Sequence, residues 1–331
     1  VPKHHKVFSR FKPCPGPFST EQLYDRFLGT MTRHEFYAGM AWARLVRKQP
    51  DVPAYPPFDE EYFEWIDVLE SVVAARKSYT MIELGAGTGR WAVRAASALR
   101  QHNPKLPFRL IAVEAEPVHF EWMRLHFADN GIDPDRHSLI YGALSETPGE
   151  VSFYVSNETG NIEANGWYGQ RLTKDYEVDV LVEEAPYAKH QIRRHASGAK
   201  SITVPAITLA SILDGLSDID LIDSDIQGME LPVIRSSIHE LDAKVKRLHI
   251  GTHGAKIEAE LRQLLTSHGW RCLADYAAKS LEQTPWGPIQ FQDGAQSWVN
   301  PRLSGSWWAG YWWSPSVLAA RLRAQAARRR G

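Results

Sequence analysis

The run Glu83-Leu84-Gly85-Ala86-Gly87-Thr88-Gly89 joins an apolar stretch, Tyr79 to Leu84, to a helical one, Trp91 to Leu99. Glycines in such a turn let the backbone come close to a ligand, and the first turn of a helix offers N–H groups without partners. The dinucleotide pattern G-x-G-x-x-G needs glycine or alanine where Arg90 stands, which disfavours a nicotinamide dehydrogenase. An acid two positions before Gly85 repels a pyrophosphate and welcomes an ammonium. S-adenosylmethionine carries an ammonium, a sulfonium, a carboxylate and no phosphate, and it is the ligand these residues suit. The bland reading of the same run is a strand-to-helix turn made tight by glycine.

Further acids and small residues fall where strands should end. Glu114 follows the apolar run Phe108–Val113 and can accept both hydroxyls of a ribose, with Ala115 or Glu116 bordering the nucleoside. Gly142-Ala143 ends a third strand, and residues this small let main-chain groups meet an adenine edge. The segment Asp220-Leu221-Ile222-Asp223-Ser224-Asp225-Ile226-Gln227-Gly228-Met229-Glu230-Leu231 passes from apolar strand to helix through polar positions. Ligands of open α/β sheets sit at the carboxyl ends of strands, so Asp223 and Asp225 should face the cofactor. They can orient its methionine end, act as a base or hold a hard cation such as Mg²⁺ through oxygen. Asp225 can equally cap the following helix. His253 comes just after the strand Leu248–Gly251, where an imidazole can take a proton from a hydroxyl.

These residues need elements to position them. From about residue 79 the pattern alternates strand and helix, which argues for a parallel, doubly wound α/β sheet. Which late strand closes the sheet in antiparallel sense stays open. Asp293-Gly294 has the composition of a hairpin turn between Pro288–Gln292 and Gln296–Val299. Before residue 78 the chain reads as a helical extension. Helices are expected over Leu23–Phe27 and Phe36–Val46, with capping-box spacing at Ser19/Gln22 and Thr32/Glu35, and a third begins after Asp59. Residues 78–300 form the main domain. Within it 156–200 is a polar, glycine-containing insertion suited to covering an acceptor pocket. Residues 301–331 form a tail rich in tryptophan, then arginine.

The chain has 331 residues and a net charge of −1, which gives no electrostatic reason to expect nucleic acid as partner. It contains no apolar run long enough for a membrane span. Its cysteines, Cys14 and Cys272, are most simply read as reduced thiols of a cytoplasmic protein. Asn157-Glu158-Thr159 matches a glycosylation sequon and, without a secretory signal, reads as chance.

Over roughly residues 78–275 the sequence resembles the FkbM-type family of S-adenosylmethionine-dependent methyltransferases. The likeness rests on Glu83–Gly89, on Ala112-Val113-Glu114-Ala115-Glu116-Pro117, on Tyr141-Gly142-Ala143-Leu144-Ser145 and on Ile219–Leu231. It implies the class I, Rossmann-like methyltransferase sheet. It also implies methylation of a hydroxyl on a small molecule, sugar or natural product. Cofactor contacts then fall to Glu83, Gly85, Ala86, Gly87, Glu114, Ala115, Gly142, Ala143 and Asp223, while the strand-end reading gives the catalytic candidates His253, first choice as base, Asp225, second choice, and Asp223. The family often has lysine where Asp223 stands, glutamate where Gln227 stands and glutamate where Gly251 stands. Asp225, Gly228, Glu230 and His253 match. These departures keep two alternatives in play: a Mg²⁺-assisted O-methyltransferase using Asp223 and Asp225, and a non-catalytic cofactor-binding module that meets a partner through the tryptophan-rich tail.

Overall fold

The computed structural model describes residues 3–16, 22–37, 52–155, 170–172, 180–182 and 186–304. Its centre is a seven-stranded sheet. The strands are β1 (Tyr79–Leu84), β2 (Phe108–Glu114), β3 (Ser138–Tyr141), β4 (Leu221–Ser224), β5 (Arg247–Thr252), β6 (Arg271–Tyr276) and β7 (Gly294–Val299). They lie in the order β6-β7-β5-β4-β1-β2-β3. All neighbours are parallel except β7, which runs antiparallel to both β5 and β6. The late reversing strand is therefore Gly294–Val299.

Alternation along the strands sorts the core into two layers. Met81, Leu110, Ala112 and Leu221 pack under α1 (Tyr62–Ala74), α2 (Arg90–His102) and α3 (Pro117–Asp129). Ile82, Leu84, Ile111, Ile222, Leu248 and Ile250 face the other way. There they meet α4 (Leu209–Leu213), α5 (Glu230–Ser236), α6 (Ile238–Lys244) and α7 (Ala255–Ser267). Helices on both faces make the sheet doubly wound. A second, smaller sheet is built on Lys200–Ile207, which pairs antiparallel with Gly149–Tyr154 and Arg193–His195 and parallel with Ala143–Leu144.

Three local expectations change. Leu23–Tyr24 is not helical but pairs antiparallel with Met31–Thr32, and Thr32 Oγ1 meets His126 Nε2 at 3.1 Å instead of capping a helix. A 3-10 turn, His34–Tyr37, covers the start of the second expected helix, Phe36–Val46, and residues 38–46 lie outside the described residues. The sequence pattern predicts one helix over Gly228–Leu241, and the structure divides it at Ser237. Asp293-Gly294 is not a hairpin turn. Gly287–Phe291 pairs back on Ser280–Thr284, and residues 292–293 lead from that hairpin into β7, whose register with β5 and β6 wins over the local turn preference. Ser19, Asn157-Glu158-Thr159, most of the insertion, and the tail from residue 305, with its tryptophans and its arginines from Arg321 on, lie outside the described residues. Among the described residues Cys14 and Cys272 are free, and no helix is long and apolar enough to cross a membrane.

Candidate functional site

The carboxyl ends of β1, β2, β4 and β5 open on a cleft of about 390 Å³, within the range usual for small-molecule sites. The glycine run forms its floor. Gly85 and Ala86 donate their N–H groups to Val113 O at 3.0 and 2.9 Å, which ties the turn to the end of β2. Gly85 has a φ of +74°, and a Cβ there would stand 1.8 Å from Asp225 O, so the turn and the β4 end meet backbone to backbone. Only glycine satisfies both conditions.

Glu83 is buried beneath this turn. Its carboxylate accepts the N–H groups of Trp91 at 3.2 Å and Ala92 at 2.8 Å. These are donors that the start of α2 leaves without helical partners. Burial, reinforced by Asp223, pushes its pKa up to about 8. Glu114 works similarly at the next strand. Its oxygens accept Gly87 N–H and Glu116 N–H, each at 2.6 Å, and burial followed by the Glu116 charge pushes it up to about 8. Both carboxyls line the cleft, and each oxygen keeps a lone pair beyond its amide partner.

Ala115, Gly142 and Ala143 line the cleft beyond Glu114. Gly142 N–H donates to Glu114 O at 2.9 Å, and a Cβ on Gly142 would strike Ile207 Cδ1 at 2.5 Å. The small residue is thus required by the strand packed behind it as well as by the cleft. Glu116 is turned aside: it caps α3 by accepting His119 N–H at 2.6 Å and takes the Tyr187 hydroxyl at 2.7 Å. His190, in the same part of the insertion, meets the Tyr141 hydroxyl at 3.1 Å.

Asp223 and Asp225 line the opposite wall, together with Glu64, Gln227, His249 and Asp293. Asp223 is buried, whereas the Asp225 side chain is 54% exposed. Lost hydration, with Glu230, Asp293 and Asp223 as like charges, raises Asp225 to about 6 against the opposing pull of His253. Asp225 does not cap the following helix. Its Oδ1 accepts from Gln227 Nε2 at 3.0 Å, while Glu230 accepts Gly228 N–H at 3.0 Å.

His253 is not part of the cleft lining. Its Nδ1 bonds Glu230 Oε1 at 2.8 Å, and its Nε2 points to Asp225 at 3.4 Å and Asp293 at 3.6 Å. Burial disfavours its charged form, but Glu230, Asp225 and Asp293 outweigh burial and raise it to about 9. At neutral pH it is an imidazolium standing behind the two rim carboxylates.

The grouping of donor atoms does not support the pair Asp223/Asp225 as the magnesium site considered from sequence. Asp223 groups with Glu64 and His249, and Asp225 with Glu230 and His253, the donor atoms of each set lying within 4.8 Å of one another. Among the described residues no such set contains both aspartates, because Asp225 turns outward to the rim while Asp223 stays under α1.

From sequence the N-terminal extension is expected to wall the acceptor pocket, but none of its lining residues is named. Tyr37, Glu60, Glu61 and Glu64 line the cleft, and Glu61 accepts Arg90 Nη2 at 2.6 Å. The signal was present: Glu61, just before α1, and Glu64, Asp67 and Glu70 within it recur every third position among mostly apolar residues, a polar stripe that a buried helix carries only for partners.

A profile of the family described as Methyltransferase FkbM domain matches residues 83–272. A protein of Jannaschia sp. (strain CCS1) named "Putative methyltransferase" is 29% identical over 215 residues, covering 65% of this chain and 70% of that protein. Among solved structures, the methyltransferase FkbM of Methylobacillus flagellatus KT aligns at 13% identity and a TM-score of 0.39, over 67% of this chain and 44% of that one. An O-methyltransferase of Bacillus cereus in complex with SAH aligns at 10% identity and a TM-score of 0.37, over 73% of this chain and 82% of that one.

Proposed function

The chain belongs to the FkbM family of S-adenosylmethionine-dependent methyltransferases, and we propose that it methylates a hydroxyl oxygen of a small molecule, sugar or natural product. The observation that carries this reading is the cleft itself. A turn that admits no Cβ at Gly85, flanked by the buried carboxyls Glu83 and Glu114, suits a positively charged sulfur nucleoside. In this reading Gly85, Ala86 and Gly87 bring the backbone to the nucleoside, Glu114 accepts the ribose hydroxyls, and Ala115, Gly142 and Ala143 border the adenine. Glu83 and Asp223 provide the negative field for the ammonium.

When bound, S-adenosylmethionine supplies a methyl group activated by its positive sulfur. The protein's own work is to align the acceptor and exclude water, the larger part of the gain in such displacements. A hydroxyl also has to lose its proton. Both rim groups read from sequence bear on that step, but in unequal positions: Asp225 faces the cleft, and His253 stands behind it as a cation. We therefore assign Asp225 to take the proton, with His253, anchored on Glu230, holding Asp225 ionised. General-base assistance of this kind is worth about 10²–10⁴ in rate. The α1 segment and the insertion 156–200, of which Gln170, Arg171 and Leu172 line the cleft, would wall the acceptor pocket. No step needs a metal ion.

The test is transfer of isotope-labelled methyl groups from S-adenosylmethionine to a panel of hydroxylated sugars and natural products, with the product mapped by mass spectrometry. An O-methylated product supports the proposal. Methylation confined to nitrogen or carbon overturns it.

A further inference from the structure

The cleft floor contains an acid–base pair that the reaction above does not use. Parallel register sets Glu83, Asp223 and His249 side by side across β1, β4 and β5, and Ser297 of β7 lies opposite His249. α1 crosses this row, outside the residues matched by the family profile. From it Asp67 Oδ2 takes His249 Nδ1 at 2.8 Å. Asp67 also bonds the Ser297 hydroxyl and the Arg247 guanidinium, so side chains of two strands fix its orientation. With Nδ1 committed to Asp67, Nε2 is the nitrogen left to the rest of the site. His249 lines the cleft, and donor atoms of Glu64, Asp223 and His249 gather within 4.8 Å.

Acidic side chains outnumber basic ones in this layer. Glu64, Asp67, Glu83 and Asp223 crowd together against Arg247 and His249, while Arg90 is turned to Glu61. Burial raises both Glu64 and Asp223, and for Asp223 the His249 charge and the Glu64 hydrogen bond act in the opposite sense. A ligand cation meeting Asp223 favours its ionised form against that burial.

We propose that Asp67 and His249 form a positioning device for Asp223, holding its carboxylate turned into the cleft to receive the α-ammonium of the cofactor. This rests on the cofactor reading given above and adds a residue pair to it. His249 acts through Asp223 and does not touch the reacting atoms.

The experiment is calorimetry on the full chain at neutral pH with two ligands. S-adenosylhomocysteine carries the ammonium, and 5′-methylthioadenosine carries the same nucleoside without it. His249→Gln should weaken S-adenosylhomocysteine about tenfold and leave methylthioadenosine unchanged. Asp223→Asn should do the same, and the double variant should be no worse than either single one. Equal weakening of both ligands, or losses that multiply in the double variant, overturns the proposal. So does a stoichiometric metal ion in the purified parent that His249→Gln removes, because the cation of this site is then inorganic. A parent that binds neither ligand overturns the cofactor reading itself. Should His249→Gln not fold, the imidazole nitrogen resonances of the parent decide. A His249 shift with S-adenosylhomocysteine alone supports the pair, and equal shifts with both ligands overturn it.

Discussion

Gly85 and Asp225 are in backbone contact across the head of the sheet: a Cβ on Gly85 would lie 1.8 Å from the Asp225 carbonyl oxygen. This joins the turn assigned to the cofactor to the residue assigned to the acceptor. Gly85→Ala should therefore abolish S-adenosylmethionine binding and lower thermal stability well beyond the cost of a positive φ. Gly215→Ala supplies the comparison, since Gly215 has a φ of +66° with nothing within 4 Å. It should cost only about 1 kcal/mol and leave binding intact. Paired melting curves and titrations check this, and equal effects of the two substitutions contradict it.

Glu114 accepts an N–H on each oxygen, from Gly87 and from Glu116. An amide cannot do so, because one of its ends is itself a donor. Glu114→Gln should reorient the glycine turn and weaken the cofactor by at least about tenfold, measured by calorimetry. Unchanged affinity would remove Glu114 from the ribose site.

Asp225 must be ionised to take a proton. kcat/KM should rise with pH through about 6, the value to which its surroundings raise it. Asp225→Asn should lower kcat by about 10²-fold or more. His253→Gln removes the cation that favours ionised Asp225, so the acid limb should move to higher pH. A His253 variant with the parent's rate and the parent's profile would take the histidine out of the mechanism.

Glu83 and Glu114 are pushed up to about 8 from 4.5, and His253 is raised to about 9 from 6.5. A raised group contributes stability that is full below its unfolded pKa and is lost as pH rises through its folded one. His5 and His126, lowered to about 4, and His119, lowered to about 3, work the other way, and stability from them grows as pH rises toward 6.5. The ligand-free protein should therefore lose stability as pH rises from 7 toward 9, as denaturant titrations across pH will show. Binding a cation near Glu83 should also release protons at pH 7, visible as a dependence of the binding heat on the buffer's ionisation enthalpy. A stability maximum above pH 8, or heats independent of buffer, contradicts this electrostatic account.

Much of this site was legible in the sequence because its parts are local. Glu83–Gly89, Glu114, Gly142-Ala143 and Asp223–Asp225 each sit at a strand end, and strand ends can be read from short apolar runs. Their gathering follows from parallel order alone. The polar layer under α1 was not legible. Asp67 and His249 are 182 positions apart, and only the sheet's register brings Arg247, His249 and Ser297 beneath one turn of that helix. The local turn signal of Asp293-Gly294 failed for the same reason. Composition there favours a hairpin, while pairing of β7 with β5 and β6 carries the chain straight on. His253 was located correctly past the end of β5, but its charge state depends on Glu230, Asp225 and Asp293, which no single segment contains.

The most direct test of the central claim is titration of the full chain with S-adenosylmethionine, with NADH as the competing ligand. The account predicts saturable one-to-one binding of S-adenosylmethionine and none of NADH. A cleft that stays empty of S-adenosylmethionine at millimolar concentration, or that prefers NADH, would contradict it.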